Sequence, residues 1–156
     1  MPGKSLGDYF RFQRWILVLI VAAFVVRFSL SLTGMPNTQI RWVSINVVLL
    51  VGLVYCAVAV HTRGFGAYKQ LLGLLLVQNL VAHMLIALAI LLGILAGLDS
   101  IFTAPEFFGG ADGKTWVHFA SHVLVWPLPA LFGWLVGAII LLVTRRLYAP
   151  GTIVKS

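Results

Sequence analysis

Three histidines within the apolar part of the sequence have the type and spacing of metal ligands. His118 and His122 stand four residues apart, so in a helix both imidazoles lie on one face, where they can hold one metal ion. His83 falls near the middle of the preceding apolar run. We predict a metal-binding cluster of these histidines, to which Glu106 and Asp112 of the intervening loop can add carboxylate oxygens.

Polar side chains also interrupt the other apolar runs. Such side chains are costly in hydrocarbon and usually face a bundle interior or a cavity. Arg27, Asn46 and the histidines fall at a similar depth, toward the side of the membrane that carries the long loop. We therefore predict one outward-facing polar ligand pocket. Its predicted ligand-binding residues are Arg27, Asn46, Asn79, His83, His118, His122 and Trp126.

Arg27 allows two interpretations. Its long side chain can snorkel outward and carry the guanidinium to the membrane surface. Alternatively it faces inward, because Ala23, Arg27, Ser31 and Gly34 form one helical stripe, and stripes of small residues usually pack against neighbouring helices. An inward Arg27 is expected to meet a buried partner or an anionic ligand.

The sequence carries no motif for nucleophilic catalysis and none for binding nucleotide phosphates. A transition metal suits the histidines. Haem b is a second candidate cofactor, held by His83 with His118 or His122, with Arg27 pairing a propionate. A quinone is a third candidate ligand, contacted by His122, Trp126 and Arg27.

The composition is that of an integral membrane protein. Of the 156 residues, 61% are hydrophobic and 10% are charged, and the mean hydropathy is +1.03. A soluble domain of this size cannot bury so much apolar surface, and a disordered chain would be far more polar. The net charge of +7 does not indicate nucleic acid, because the basic residues flank apolar runs instead of forming a patch.

Four apolar stretches are long enough to cross a bilayer, which takes about 20 residues. These predicted spans are residues 15–32, 42–60, 71–98 and 116–143. We predict an all-α integral membrane protein: an antiparallel four-helix transmembrane bundle, forming a single domain over residues 1–156. Ser5 and Asp8 have the spacing of a capping box, which predicts a first helix from near Leu6. Pro127 and Pro129 predict a break in the last span.

The basic residues predict the orientation. Only Arg41 and Lys114 lie in the first and third loops, whereas eight basic residues flank the other ends of the spans: Lys4, Arg11, Arg14, Arg63, Lys69, Arg145, Arg146 and Lys155. Because positive residues stay inside, we expect a multi-pass protein with both termini cytoplasmic, in a bacterial inner membrane.

The loop of residues 99–115, here called the outer loop, is longer than a four-helix bundle needs. It holds three of the four acidic residues and three phenylalanines, Phe102, Phe107 and Phe108. One interpretation is a folded-back cap whose phenylalanines enter the interface. The other is a lid or docking surface over an outward-facing site.

Small residues suggest close helix packing and partners. Gly52, Cys56 and Ala59 share one face, and Gly133 and Gly137 share another. We expect a non-catalytic accessory or interaction subunit with the polar ligand pocket, in contact with lipid and with other membrane subunits or copies of itself. The alternatives are a haem-, metal- or quinone-binding redox protein and a transporter of a small solute or ion.

Overall fold

The structure is a computed structural model that describes residues 4–107 and 110–148. Within these ranges the chain forms helices and loops, without a strand. The helices are α1 (Leu6–Phe12), α2 (Arg14–Leu32), α3 (Asn37–Ile40), α4 (Ile45–Thr62), α5 (Tyr68–Ala96), α6 (Trp116–Val125) and α7 (Pro127–Leu147), with one 3-10 turn at Pro105–Phe107.

Four helical stretches are long and apolar enough to cross a membrane, as predicted. They are Arg14–Leu32, Asn37–Thr62, Tyr68–Ala96 and Trp116–Leu147. The third ends two residues before the predicted boundary at 98, because Gly97 adopts the left-handed conformation (φ 67°) that ends a helix. The fourth continues to Leu147 instead of 143. The second begins with the short α3, which the sequence did not predict.

Local signals explain where the helices begin and break. Ser5 and Asp8 form the predicted capping box, and α1 begins at Leu6. Gln13, at φ −113° and ψ 19°, separates α1 from α2, an interruption that no proline or glycine announces. The predicted break in the last span lies at Trp126, between α6 and α7, because Pro127 and Pro129 lack the N–H groups that would continue the helical bonds.

Helix α5 is the centre of the packing. It contacts α2, α4, α6 and α7, whereas α2 makes no contact with α6 or α7. One apolar cluster lies among α2, α4, α5 and the outer loop, and a second lies among α4, α5 and α7. Much apolar surface lies on the outside of the bundle: Phe132 and Ile139 of α7 are 69% and 64% exposed.

The predicted small-residue faces pack within the chain. A Cβ on Gly52 would lie 2.5 Å from the side-chain oxygen of Gln78 on α5. A Cβ on Gly133 or Gly137 would lie 3.1–3.2 Å from leucines of α4 and α5, Leu53 and Leu71. These faces therefore bring α4, α5 and α7 together and are not left open for a partner.

The first half of the outer loop closes one end of the bundle. The segment 100–104 is buried, and the backbone N–H of Ile101 donates to the Ser31 hydroxyl over 2.7 Å. The Phe102 ring packs against Phe24 and Phe28, with centroids 5.5 and 6.5 Å away. Of the other loop phenylalanines, Phe107 is exposed and Phe108 lies outside the described residues.

Candidate functional site

The structure brings the three predicted histidines together between α5 and α6. Nδ1 of His83 lies 3.1 Å from Nδ1 of His122, and their ring centroids are 4.9 Å apart. The ring of His118 lies one turn away, 5.1 Å from that of His122. Helix α6 begins after Thr115, whose hydroxyl accepts a hydrogen bond from the backbone N–H of His118. Because His118 and His122 are four residues apart in this helix, their side chains lie on the same side.

The predicted carboxylate ligands have other partners. Glu106 accepts a hydrogen bond from the side-chain amide of Asn37, and Asp112 accepts from the backbone N–H of Lys114 at 2.9 Å. Within the described ranges, no three His, Cys, Asp or Glu side chains form a group that could hold a metal ion. One chain therefore presents His83 and His122 as a directly facing pair of nitrogens, and the metal site stays a prediction.

This pair does not fit a haem iron held between its two nitrogens. Axial nitrogens on opposite sides of an iron stand about 4 Å apart, twice a metal–nitrogen bond of about 2 Å. The observed separation of 3.1 Å is instead that of a hydrogen bond or of two adjacent ligands of one metal ion.

Arg27 lies away from the histidines. It is half-buried on α2, and α2 does not contact α6. Its guanidinium carbon lies 5.4 Å from the centre of the Phe102 ring, and its Nε is buried without a hydrogen-bond partner among the described residues. Arg27 thus packs beneath the outer loop, and the ion pairs within the described ranges are made by Lys114 instead.

The two predicted asparagines line a small recess of about 210 Å³ among α4, α5 and α7. Asn79 donates to the backbone oxygen of Leu75 at 3.0 Å, and Asn46 is exposed. Trp126 is half-buried at the break between α6 and α7. The predicted pocket residues are therefore distributed over separate places: the histidine cluster, the Arg27 position and the asparagine recess.

The structure shows a larger polar recess that the sequence did not predict. It has a volume of about 520 Å³ and lies between the α2–α4 connection and the outer loop. We call it the loop recess; it is lined by residues 31, 34–38, 99, 100 and 103–106. Its lining includes the carboxylates of Asp99 and Glu106 but no lysine or arginine. Ser100 is 5% exposed, and its hydroxyl has no partner among the described residues.

Hydrogen bonds hold the walls of the loop recess in place. The contact of Glu106 with Asn37 joins the outer loop to α3. On the other wall, the Lys114 ammonium lies 2.7 Å from Asp99. The hydrogen bond to Asp99 raises the pKa of Lys114 above its usual 10.5, and Asp112 adds to this effect. Asp99 is thus paired with Lys114, whereas Glu106 has no ion-pair partner among the described residues. This carboxylate and the hydroxyls of the lining favour a positively charged guest.

A buried polar network lies deeper in the bundle. The Gln78 amide donates to the side-chain oxygen of Gln13 at 2.8 Å and to the Cys56 sulfur at 3.2 Å. The Gln13 amide donates in turn to the backbone oxygen of Leu74. The network joins α4 and α5 to the junction of α1 and α2. All three side chains are at most 1% exposed, so the network offers no access to a ligand. The sequence predicts a packing role for Cys56 but does not predict its bonds to Gln13 and Gln78.

Among the described residues, the histidine cluster and the loop recess both gather polar groups within reach of a ligand. Compared with known proteins, the chain matches no family model, no curated sequence and no solved structure.

Proposed function

We propose that this chain is a non-catalytic, four-span membrane protein that binds a small organic cation in the loop recess. The observation that carries the proposal is a recess of about 520 Å³ lined by two carboxylates, of which Glu106 has no ion-pair partner among the described residues. Ligand sites usually fall between about 300 and 1,000 Å³. An ammonium group supplies the donors that the Asp99 and Glu106 carboxylates and the Ser100 hydroxyl can accept.

An antiparallel transmembrane bundle accounts for the helix contacts. Gln13, just before α2, donates to the backbone oxygen of Leu74 early in α5, which favours the same direction for these two helices. His61 at the end of α4 lies 3.0 Å from the backbone oxygen of Tyr148, just beyond α7, and the Trp134 indole donates to the backbone oxygen of Tyr68. These contacts support alternating spans, in which α4 and α7 run opposite to α5.

The distribution of charge supports an outward-facing recess. The basic residues cluster at the termini and the α4–α5 loop, whereas the outer loop holds three of the four acids. By the positive-inside rule the termini are cytoplasmic and the recess faces outward. We place the protein in a bacterial inner membrane as an accessory or interaction subunit.

Binding is favoured over transport by what lies beneath the recess. A transported solute needs a route across the bundle, but the segment 100–104 is buried under the recess. Deeper still, the side chains of Gln13, Gln78 and Cys56 fill the space among α2, α4 and α5. A recess closed at its base suits a receptor for a ligand that arrives and leaves on one side.

The proposal is tested by titrating the purified protein in nanodiscs with putrescine, a small diamine, by calorimetry. We expect saturable binding that weakens at least about tenfold in Glu106→Gln, because the loss of one charge-assisted hydrogen bond costs about 1.5–3 kcal/mol. Glutamine keeps an oxygen to accept from Asn37. Asp112→Asn is the matched control, since Asp112 belongs to the same loop but does not line the recess. Absence of saturable binding, or equal affinity in Glu106→Gln, would overturn the proposal.

A further inference from the structure

The contact between His83 and His122 has the spacing of two ligands on one metal ion. Zinc binds histidine nitrogens at about 2.0–2.1 Å, so two nitrogens at a tetrahedral angle stand about 3.3–3.4 Å apart. The two Nδ1 atoms are 3.1 Å apart. Small side-chain rotations can supply the difference of a few tenths of an ångström. The pair therefore has nearly the spacing that two ligands of one ion require.

Two nitrogens are half of a tetrahedral zinc site. The described residues of one chain contain no group of three His, Cys, Asp or Glu placed for a metal. The missing ligands are therefore best supplied from outside the chain.

The histidine pair lies where another chain can reach it. Both side chains are only half-buried, and α6, which carries His122, has no buried residue. His83 is close to the midpoint of α5, so the pair lies deep in the spanning part of the bundle. Imidazoles left open to hydrocarbon at that depth are costly, and they are normally enclosed by a partner.

We propose that a Zn²⁺ ion joins two copies of this chain through the Nδ1 atoms of His83 and His122 of each copy. A two-fold axis through the ion presents the same pair twice, giving four imidazole nitrogens in the number and type that zinc accepts. The neutral rings then carry their protons on Nε2, which leaves both Nδ1 lone pairs for the metal. This inference is independent of the loop recess.

The experiment measures the protein mass in detergent by light scattering, with Zn²⁺ or with a chelator, together with zinc calorimetry. We expect a monomer with the chelator, a dimer with Zn²⁺, and one tightly bound ion per two chains. His122→Gln and His83→Gln should each abolish the zinc-dependent dimer and weaken zinc binding more than about 100-fold, because even outer-shell partners of zinc ligands contribute 10–100-fold.

Glutamine keeps a hydrogen-bonding group at each position, so the variants separate metal binding from simple packing. His61→Gln is the matched control, because His61 lies at the other end of the bundle beside Tyr148; it should dimerise as the wild type does. A mass that does not respond to zinc, one ion bound per monomer, or a zinc-dependent dimer that survives in His122→Gln would each overturn the inference.

Discussion

Replacing Gly52 by alanine tests a close contact between helices of the bundle. The added Cβ would lie 2.5 Å from the side-chain oxygen of Gln78 and 2.8 Å from Cγ2 of Ile16. Ordinary contact begins near 3.5 Å, so these groups must retreat by about 1 Å. Gln78 is fully buried and bonded to Gln13 and Cys56, and Ile16 is β-branched, so neither has an easy alternative position.

The sign of the effect follows from two opposing free energies. Alanine in place of glycine stabilises a helix interior by about 1 kcal/mol, and overpacking a core costs about 1–3 kcal/mol. We expect a net loss of about 1 kcal/mol, which lowers the Tm of a protein of this size by about 2–4 °C. The assay is thermal unfolding in detergent followed by circular dichroism.

Gly7→Ala is the control for helix propensity alone. Gly7 lies in α1, and the nearest atom to an added Cβ is the Ser5 hydroxyl at 3.7 Å, an ordinary contact. This variant should be as stable as the wild type or more so. If the Tm of Gly52→Ala is raised together with that of Gly7→Ala, α4 does not pack as tightly against α5 and α2 at Gly52 as described.

Two further changes probe the buried network and the wall of the loop recess. Gln78→Leu should destabilise the protein by about 1–3 kcal/mol because it removes the principal donor to the Gln13 oxygen. Adding Gln13→Leu should restore much of this stability, and a double variant less stable than Gln78→Leu would contradict the prediction. The ion pair of Lys114 with Asp99 raises the lysine pKa. The stabilisation that this pair gives the folded protein is therefore complete below pH 10.5 and is lost as the pH rises through the raised pKa. The Tm difference between wild type and Lys114→Gln should therefore shrink in strong alkali, and a difference that grows there would refute the pairing.

The sequence predicts the helices because their causes are local. Apolar runs of spanning length mark the four long stretches, the Ser5 and Asp8 pair marks the first helix, and the prolines after Trp126 mark the break before α7. The interruption at Gln13 is different, because the side chain leaves the helix pattern to reach partners on α4 and α5. Such a tertiary cause has no signature within the local sequence.

The candidate site is predictable only in part, for the same reason. Helical spacing puts His118 and His122 on one side, and matching depth brings in His83. Depth alone does not say which helices touch. The sequence groups Arg27 on α2 with residues of α6, but these two helices do not pack against each other. The loop recess depends on how two loops fold against each other, and only the concentration of acids in the outer loop hints at it.

The orientation of the chain decides whether the loop recess faces outward, and cysteine labelling in intact cells measures it directly. Ala111→Cys would place a thiol on an exposed part of the outer loop, and Lys69→Cys would place one at the start of α5. The native Cys56 is fully buried and needs no replacement. A membrane-impermeant maleimide should label position 111 in intact cells and position 69 only after permeabilisation. Labelling of position 69 in intact cells, with or without position 111, would contradict the account.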